Sequence, residues 1–136
     1  VYTDDSGMMF SGTDAAAAIG SDCIFGTVQS DPVLAGCGSE AGGVLSCFPN
    51  CPAETINALA DCVAECTQDA TAAASAPGLS NACVACTGGR VACDVAFCTN
   101  LCVADTSAPA CIACRCDNGC IPDFATCSGI PNNDCN

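Results

Sequence analysis

The sequence predicts a mainly α-helical, disulfide-rich fold in which two duplicated, disulfide-stapled helical hairpins follow a Gly-rich N-terminal segment that contains short strands. The first observation is the cysteine content, since 17 of 136 residues are Cys, a level typical of disulfide scaffolds. The second is a thin supply of core residues, because Leu, Ile, Val and Phe number only 25. Disulfides contribute roughly 2–4 kcal/mol each and are expected to supply the stability that a small apolar core cannot. The third observation is a repeated cysteine spacing.

The repeat joins a Cys-x-x-x-Cys pair to a later Cys-x-x-Cys pair, and the whole unit occurs twice. Both cysteines of the first pair recur 36 residues further on, and both cysteines of the second pair recur 28 residues further on. Equal shifts within each pair indicate an internal duplication whose second copy has a shorter loop. The two copies cover residues 57–89 and 93–119. Their cysteines are Cys62, Cys66, Cys83 and Cys86 in the first copy and Cys98, Cys102, Cys111 and Cys114 in the second.

The N-terminal third differs in composition from the rest of the chain. Residues 1–45 hold eight of the 13 glycines and only two of the 17 cysteines. This difference predicts a Gly-rich N-terminal arm at 1–45 and a cysteine-rich helical domain at 46–136.

Within the arm, residues 2–12 place a short apolar centre between turn-forming ends, which suits a strand or an extended arm. Residues 14–19 are rich in Ala and predict a helical turn that Gly20 ends. Short strands are expected at 23–28 and 44–48.

After the arm the pattern becomes helical. Residues 52–67 begin with Pro and carry apolar side chains at three- and four-residue spacing, which predicts an amphipathic helix. Its apolar face is formed by Ile56, Leu59, Cys62, Val63 and Cys66. Ser80 is expected to cap a second, short helix, and Gly88 and Gly89 are expected to end it.

The second copy predicts the same plan. A helix is expected over 91–103, a turn over 105–109 and a short helix over 110–115. The Asp-Asn-Gly triplet at 117–119 predicts another turn. One or two helical turns are expected over 120–127.

The cysteine spacing also predicts a pairing. Two cysteines four residues apart on a helix point to the same side, so each is placed to bridge to a neighbouring helix. The antiparallel order predicts Cys62–Cys86 with Cys66–Cys83 in the first hairpin, and Cys98–Cys114 with Cys102–Cys111 in the second. Because 17 is odd, one cysteine is left as a free thiol or bonds to another chain. Cys116 and Cys135 are the candidates for a free thiol.

The charge of the chain argues against several partners. The chain has fifteen acidic residues but only two basic ones, Arg90 and Arg115, and its net charge is −13. Such a surface repels phosphate, so neither nucleic acid nor anionic lipid is an expected partner. The cysteine content predicts an extracellular location, and we expect that a signal peptide has been removed and that no segment spans a membrane.

Catalytic and cofactor chemistry find little support in the sequence. The chain has no His and no Lys, so the usual nucleophilic triads and c-type haem attachment lack their residues. Asp4 and Asp5 are adjacent, and in an extended chain they point to opposite faces. The sequence therefore predicts a protein that is not an enzyme and that has no cofactor.

Zinc is the main alternative use of the cysteines. The two Cys-x-x-Cys pairs are further apart than in most zinc knuckles, and each already has a partner pair in the repeat. Residues 117–119 resemble the start of a calcium loop but lack the later ligands. No metal is therefore expected. Asn-x-Cys triplets give weak signals for attached glycans at Asn81, Asn100, Asn118 and Asn133.

Two segments, GLSNACVAC at 78–86 and NGCIPDFATCSGIP at 118–131, resemble those of secreted, cysteine-rich repeat proteins encoded by environmental bacteria. The resemblance covers roughly residues 50–131 and rests on cysteine spacing. It implies a secreted repeat protein, and this uncharacterised family carries no catalytic residues to transfer to the chain.

Our first functional hypothesis is a secreted structural protein that assembles with copies of itself into an extracellular filament or surface layer. Residues 1–10 have an apolar centre and no cysteine, so Met8, Met9 and Phe10 are predicted to fill a groove on the next subunit. A repeated head-to-tail contact of this kind builds a filament. The alternatives are a small acidic extracellular binding module and, third, a thiolate metal-binding protein.

Overall fold

The computed structural model describes residues 2–3, 9–10, 19–20, 22–24, 36–73 and 80–135. Most of them are helical, as the sequence predicts, and residues 19–20 and 22–24 are helical too. Within the described residues the numbered helices are α1 (Gly38–Cys47), α2 (Ala53–Ala73), α3 (Asn81–Cys102), α4 (Pro109–Asp117) and α5 (Cys120–Ser128).

Two short strands lie at the N-terminal end. Strand β1 (Tyr2–Thr3) pairs antiparallel with β2 (Met9–Phe10), so that Tyr2 lies opposite Phe10 and Thr3 opposite Met9. The side chain of Met9 is 71% exposed. Met8 and Phe10 are the other two residues predicted to fill a groove on the next subunit. Met8 and the side chain of Phe10 lie outside the described part of the structure.

Two predicted strands are helical where the structure describes them. Residues 22–24 are helical where a strand was expected over 23–28, and α1 takes in residues 44–47 of the other expected strand. In α1, Ala41 and Val44 are buried at a three-residue spacing, which is the period of a helix and not of a strand. Residues 14–18 of the predicted helical turn lie outside the described residues.

Helix α3 is central, because it packs against α1, α2, α4 and α5. Ser80 caps it as predicted, since the Ser80 hydroxyl accepts a hydrogen bond from the backbone N–H of Cys83 at 3.2 Å. The predicted end of the helix at Gly88 and Gly89 is wrong. The helix continues to Cys102, so residues assigned to both predicted copies of the repeat lie on one helix.

Gly88 lies within the helix at a point where α2 packs closely against α3, and the absence of a side chain there makes room for α2. A Cβ atom at this position would collide with the carbonyl oxygen of Ala60 and would lie 3.1 Å from the Cβ of Ala64. The two helices therefore meet through small residues, and glycine is required there for its size.

The core lies between α1, α2, α3 and the helical residues 19–20 and 22–24. Gly20 is buried against α3, because a Cβ added to it would lie 3.2 Å from Val91 and 3.4 Å from Thr87. The most buried members of this core are Ile19, Cys23, Cys37, Val44, Leu59, Val63 and Ala92. A second, smaller cluster contains Cys98, Cys102 and Cys111.

The N-terminal region is tied to the helices. Disulfides Cys23–Cys66 and Cys37–Cys62 join it to α2, and the backbone N–H of Cys37 donates a hydrogen bond to the carbonyl of Cys23 at 2.6 Å. The predicted domain boundary at residue 45 falls within α1.

All 17 cysteines belong to the described residues, and 16 of them form eight disulfides. Of the four bonds predicted from the repeat, the structure has two, Cys98–Cys114 and Cys102–Cys111. Beyond these and the two N-terminal bonds, the remaining bridges are Cys47–Cys51, Cys86–Cys127, Cys93–Cys120 and Cys116–Cys135.

The two bonds predicted for the first hairpin are wrong. Cys62 and Cys66 bond to the N-terminal region, Cys86 bonds to Cys127, and Cys83 is unpaired. The reason lies in how α2 meets α3. Ala60 and Ala64 face Gly88, and each cysteine of α2 lies two positions further along, which is about 200° around the helix.

Helix α3 is, within the described part of the chain, the one helix whose length and composition would suit a membrane span. This is a weak indication, because the core helix of a globular protein passes the same test. Here α3 carries four cysteines that bond to α4 and α5, namely Cys86, Cys93, Cys98 and Cys102.

Candidate functional site

A cleft of about 650 Å³ runs along α3 and is bordered by α1, α4, α5, the helical residues 22–24, the loop between α3 and α4 and the C-terminal segment. The α3 residues that line it recur at three- and four-residue spacing, which places them on one face of the helix. The apolar part of its lining includes Val91 and Val95 of α3, Leu45 of α1 and Phe124 of α5.

Both cationic side chains of the protein line this cleft. Arg90 comes from α3 and Arg115 from the last turn of α4. The chain has no other Lys or Arg, and its net charge is −13. The whole positive side-chain charge of an acidic protein is therefore concentrated at one concave site.

Arg115 is paired inside the cleft. Its Nε donates a hydrogen bond to Oδ1 of Asp94 at 2.9 Å, and the two side chains are only 12% and 25% exposed. Burial raises the pKa of the Asp94 carboxyl, although the charge of Arg115 and this hydrogen bond oppose the rise. The pair therefore places one positive and one negative charge side by side in the wall.

Arg90 makes a different contact. Its guanidinium lies 4.9 Å from the centre of the Phe124 ring, which is a cation–π arrangement. Burial is the main cause that lowers the pKa of Arg90, followed by repulsion from Arg115, while Asp94 and Asp134 oppose the change. A guanidinium nevertheless keeps its proton in proteins. Among the described residues, no carboxylate forms a salt bridge with Arg90.

A smaller cleft of about 220 Å³ lies beside the first. Arg90 and Phe124 line both clefts, so this pair forms part of the boundary of each.

Four disulfides hold the helices that surround the two clefts. Cys86–Cys127 and Cys93–Cys120 fix α5 to α3, and Cys98–Cys114 and Cys102–Cys111 fix α4 to α3.

Few features of the amino-acid sequence indicated this site. Arg90 and Arg115 stood out only as the two positive charges of an acidic chain. One signal was present, because Arg90 and Asp94 are four residues apart and share a face of a helix. Arg115 is 21 residues from Asp94, and only the position of α4 brings the two together.

Cys83 is the unpaired cysteine, and it is exposed in the first turn of α3. Cys116 and Cys135, the predicted candidates for a free thiol, are bonded to each other. The odd cysteine therefore lies at the start of the central helix and not near the C-terminus.

One group among the described residues has a geometry that could hold a metal ion, namely Cys37, Glu40 and Cys62. Two of its three members are bonded to each other as a disulfide. A thiolate is the form of cysteine that binds a metal, so this group offers no thiolate ligands while the bridge is intact.

These features define a disulfide-rich helical protein with an arginine-containing cleft. Comparison of the chain with protein-family models, with curated proteins and with solved structures found no match. Eight disulfides are typical of proteins from oxidising, extracellular environments.

Proposed function

We propose that the protein is a small extracellular binding module that holds a partly apolar small molecule in the cleft along α3. The observation that carries this proposal is the cleft itself. Its volume of about 650 Å³ falls in the range of roughly 300–1,000 Å³ that is usual for small-molecule sites. Such sites have mainly apolar walls and a few polar groups that orient the ligand, and here Arg90, Asp94 and Arg115 are such groups.

The disulfides support binding by a preformed site. Four of them connect α3 to α4 and α5, which are the helices that carry Arg115 and Phe124. A site that is already rigid loses little conformational entropy when a ligand binds. In this proposal the protein is secreted and binds without catalysing a reaction, in keeping with a chain that has no His and no Lys.

The test uses phenylnaphthylamine, an uncharged aromatic probe whose fluorescence rises in apolar surroundings. We expect saturable binding to the wild-type protein. Leu45 lines the cleft and is 51% exposed, so Leu45→Gln removes apolar contact with the probe without leaving a buried polar group. We expect this variant to bind about fivefold more weakly.

Leu101 provides the matched control. It is 43% exposed and is not among the residues that line the cleft. Leu101→Gln should therefore leave the affinity unchanged. Equal weakening by both substitutions, or no saturable binding to the wild-type protein, would contradict the proposal.

Self-assembly into a filament or surface layer is the second candidate, and two observations favour it. Met9 is 71% exposed on the N-terminal strand pair, and Cys83 is exposed and unpaired, so it is available to bond to another chain. We expect electron microscopy of native material to show filaments that deletion of residues 1–12 abolishes.

A Cys83→Ser variant, analysed by non-reducing electrophoresis, tells whether a bond between chains contributes. If it does, a covalent dimer present in the wild-type protein should be lost in this variant. Monomers in both the wild-type and the truncated samples would rule out assembly through the N-terminal strands.

A further inference from the structure

We infer that the ligand carries a single negative charge on an apolar body, and that Arg90 binds its anionic group. This inference rests on the proposed function of the cleft. It follows from the charges that line the site. Arg90, Arg115 and Asp94 together carry one net positive charge, and the Asp94 carboxylate is held by Arg115 at 2.9 Å. Arg115 is therefore paired with a carboxylate, whereas Arg90 has no bonded carboxylate among the described residues.

Arg90 is suited to the role. Its guanidinium lies 4.9 Å from the centre of the Phe124 ring, and this contact does not occupy its N–H groups. No described residue accepts a hydrogen bond from these groups. A guanidinium offers these donors in a planar fork that matches the two oxygens of a carboxylate or sulfonate. Burial disfavours the charged form of Arg90, and an anion bound beside it would compensate for part of the lost hydration.

The charge of the whole protein makes the inference selective. At a net charge of −13, the general field of the protein repels anions. Preference for an anion must therefore come from local cations, and both cations of the chain line this cleft. A second negative charge on the ligand would meet the Asp94 carboxylate, so a monoanion fits the site better than a dianion does.

Two probes with the same rings test the inference. Anilinonaphthalene sulfonate carries one negative charge, and phenylnaphthylamine carries none. We expect the wild-type protein to bind the sulfonate about tenfold more tightly than the uncharged probe. Added salt should reduce this preference, because part of the attraction is electrostatic.

Substitutions at Arg90 identify the anchor. Arg90→Gln should remove the preference for the sulfonate and leave the affinity for phenylnaphthylamine within about twofold. Arg90→Lys keeps the charge but not the fork, so it should retain part of the preference. Circular dichroism of each variant verifies the fold. Should Arg90→Gln fail to fold, the Arg90→Lys variant and the salt dependence of the wild-type protein still test the inference.

The control changes the net charge by the same amount elsewhere. Asn57 is exposed on α2 and does not line the cleft, so Asn57→Asp should leave the preference intact. The inference would be overturned by equal binding of the two probes to the wild-type protein, or by an equal effect of Asn57→Asp and Arg90→Gln. If neither probe binds the wild-type protein, the proposed function fails as well, which distinguishes the two failures.

Discussion

Removal of the Cys23–Cys66 disulfide is expected to lower the free energy of unfolding by roughly 3 kcal/mol, because restriction of the unfolded chain grows with the length of the closed loop, and the intact Cys37–Cys62 bridge limits this loop to residues 23–37 and 62–66. This bond joins residues 43 positions apart. It also holds the N-terminal residues against α2, where Ile19 and Cys23 are buried in the main core. Loss of the bond should therefore weaken the packing of this region as well.

Three double alanine variants, each made in a Cys83→Ser background to prevent thiol exchange, would measure the effect. They remove Cys23–Cys66, Cys102–Cys111 or Cys47–Cys51, which join residues 43, 9 and 4 positions apart. With the neighbouring bridges Cys37–Cys62 and Cys98–Cys114 intact, the expected losses are roughly 3, 2 and 2 kcal/mol. Denaturant unfolding followed by far-ultraviolet circular dichroism gives the free energies.

The Cys102–Cys111 variant is the control for burial. Both of its cysteines are buried, as Cys23 and Cys66 are, but they close a much shorter loop. Equal losses in these two variants would show that lost packing, and not restriction of the unfolded chain, dominates the stability that the bridges provide.

Several local signals in the sequence predicted local structure, although residues 23–24 and 44–47, which were expected in strands, are helical and the helix end expected at Gly88 and Gly89 did not form. The apolar spacing of residues 52–67 predicted α2, and Ser80 predicted the start of α3. The turn at 117–119 lies where α4 ends and α5 begins, with Gly119 at a positive φ of 79°. Each of these features depends on neighbours within one turn of the chain, which is the range over which a pattern can be interpreted from sequence alone.

The disulfide partners of Cys62 and Cys66 depend on tertiary packing, which the sequence pattern does not predict. Cysteines four residues apart do lie on one side of α2, but their spacing does not say which neighbour that side meets. Ala60 and Ala64 face α3 at Gly88, and nothing about an alanine marks it as an interface residue. Cys62 and Cys66 consequently bond to the N-terminal region.

The candidate site was hidden for the same reason. Its parts come from four numbered helices, the helical residues 22–24, the loop between α3 and α4 and the C-terminal segment. Disulfides hold several of these parts together. Cys98–Cys114 and Cys102–Cys111 hold α4 beside α3, where Arg115 reaches Asp94. Composition showed that two arginines were unusual in this chain, but it could not show that they share a cleft.

Substitution of Gly88 by alanine is expected to lower the free energy of unfolding by about 3 kcal/mol, the upper end for an overpacked core. The added methyl group would collide with the carbonyl oxygen of Ala60, which belongs to the backbone of α2 and can move only if the helix moves. Denaturant unfolding of the variant and the wild-type protein measures the difference.

Gly89 is the matched control, since it lies next along the same helix and a Cβ there meets nothing within 4 Å. Gly89→Ala should raise stability by about 0.5–1 kcal/mol, because alanine favours a helix more than glycine does. Adding Ala64→Gly to Gly88→Ala should not restore stability, because it removes a methyl group and leaves the Ala60 carbonyl in place. A Gly88→Ala protein as stable as Gly89→Ala would mean that α2 and α3 do not meet through these residues, and the explanation of why Cys62 and Cys66 face away from α3 would fall with it.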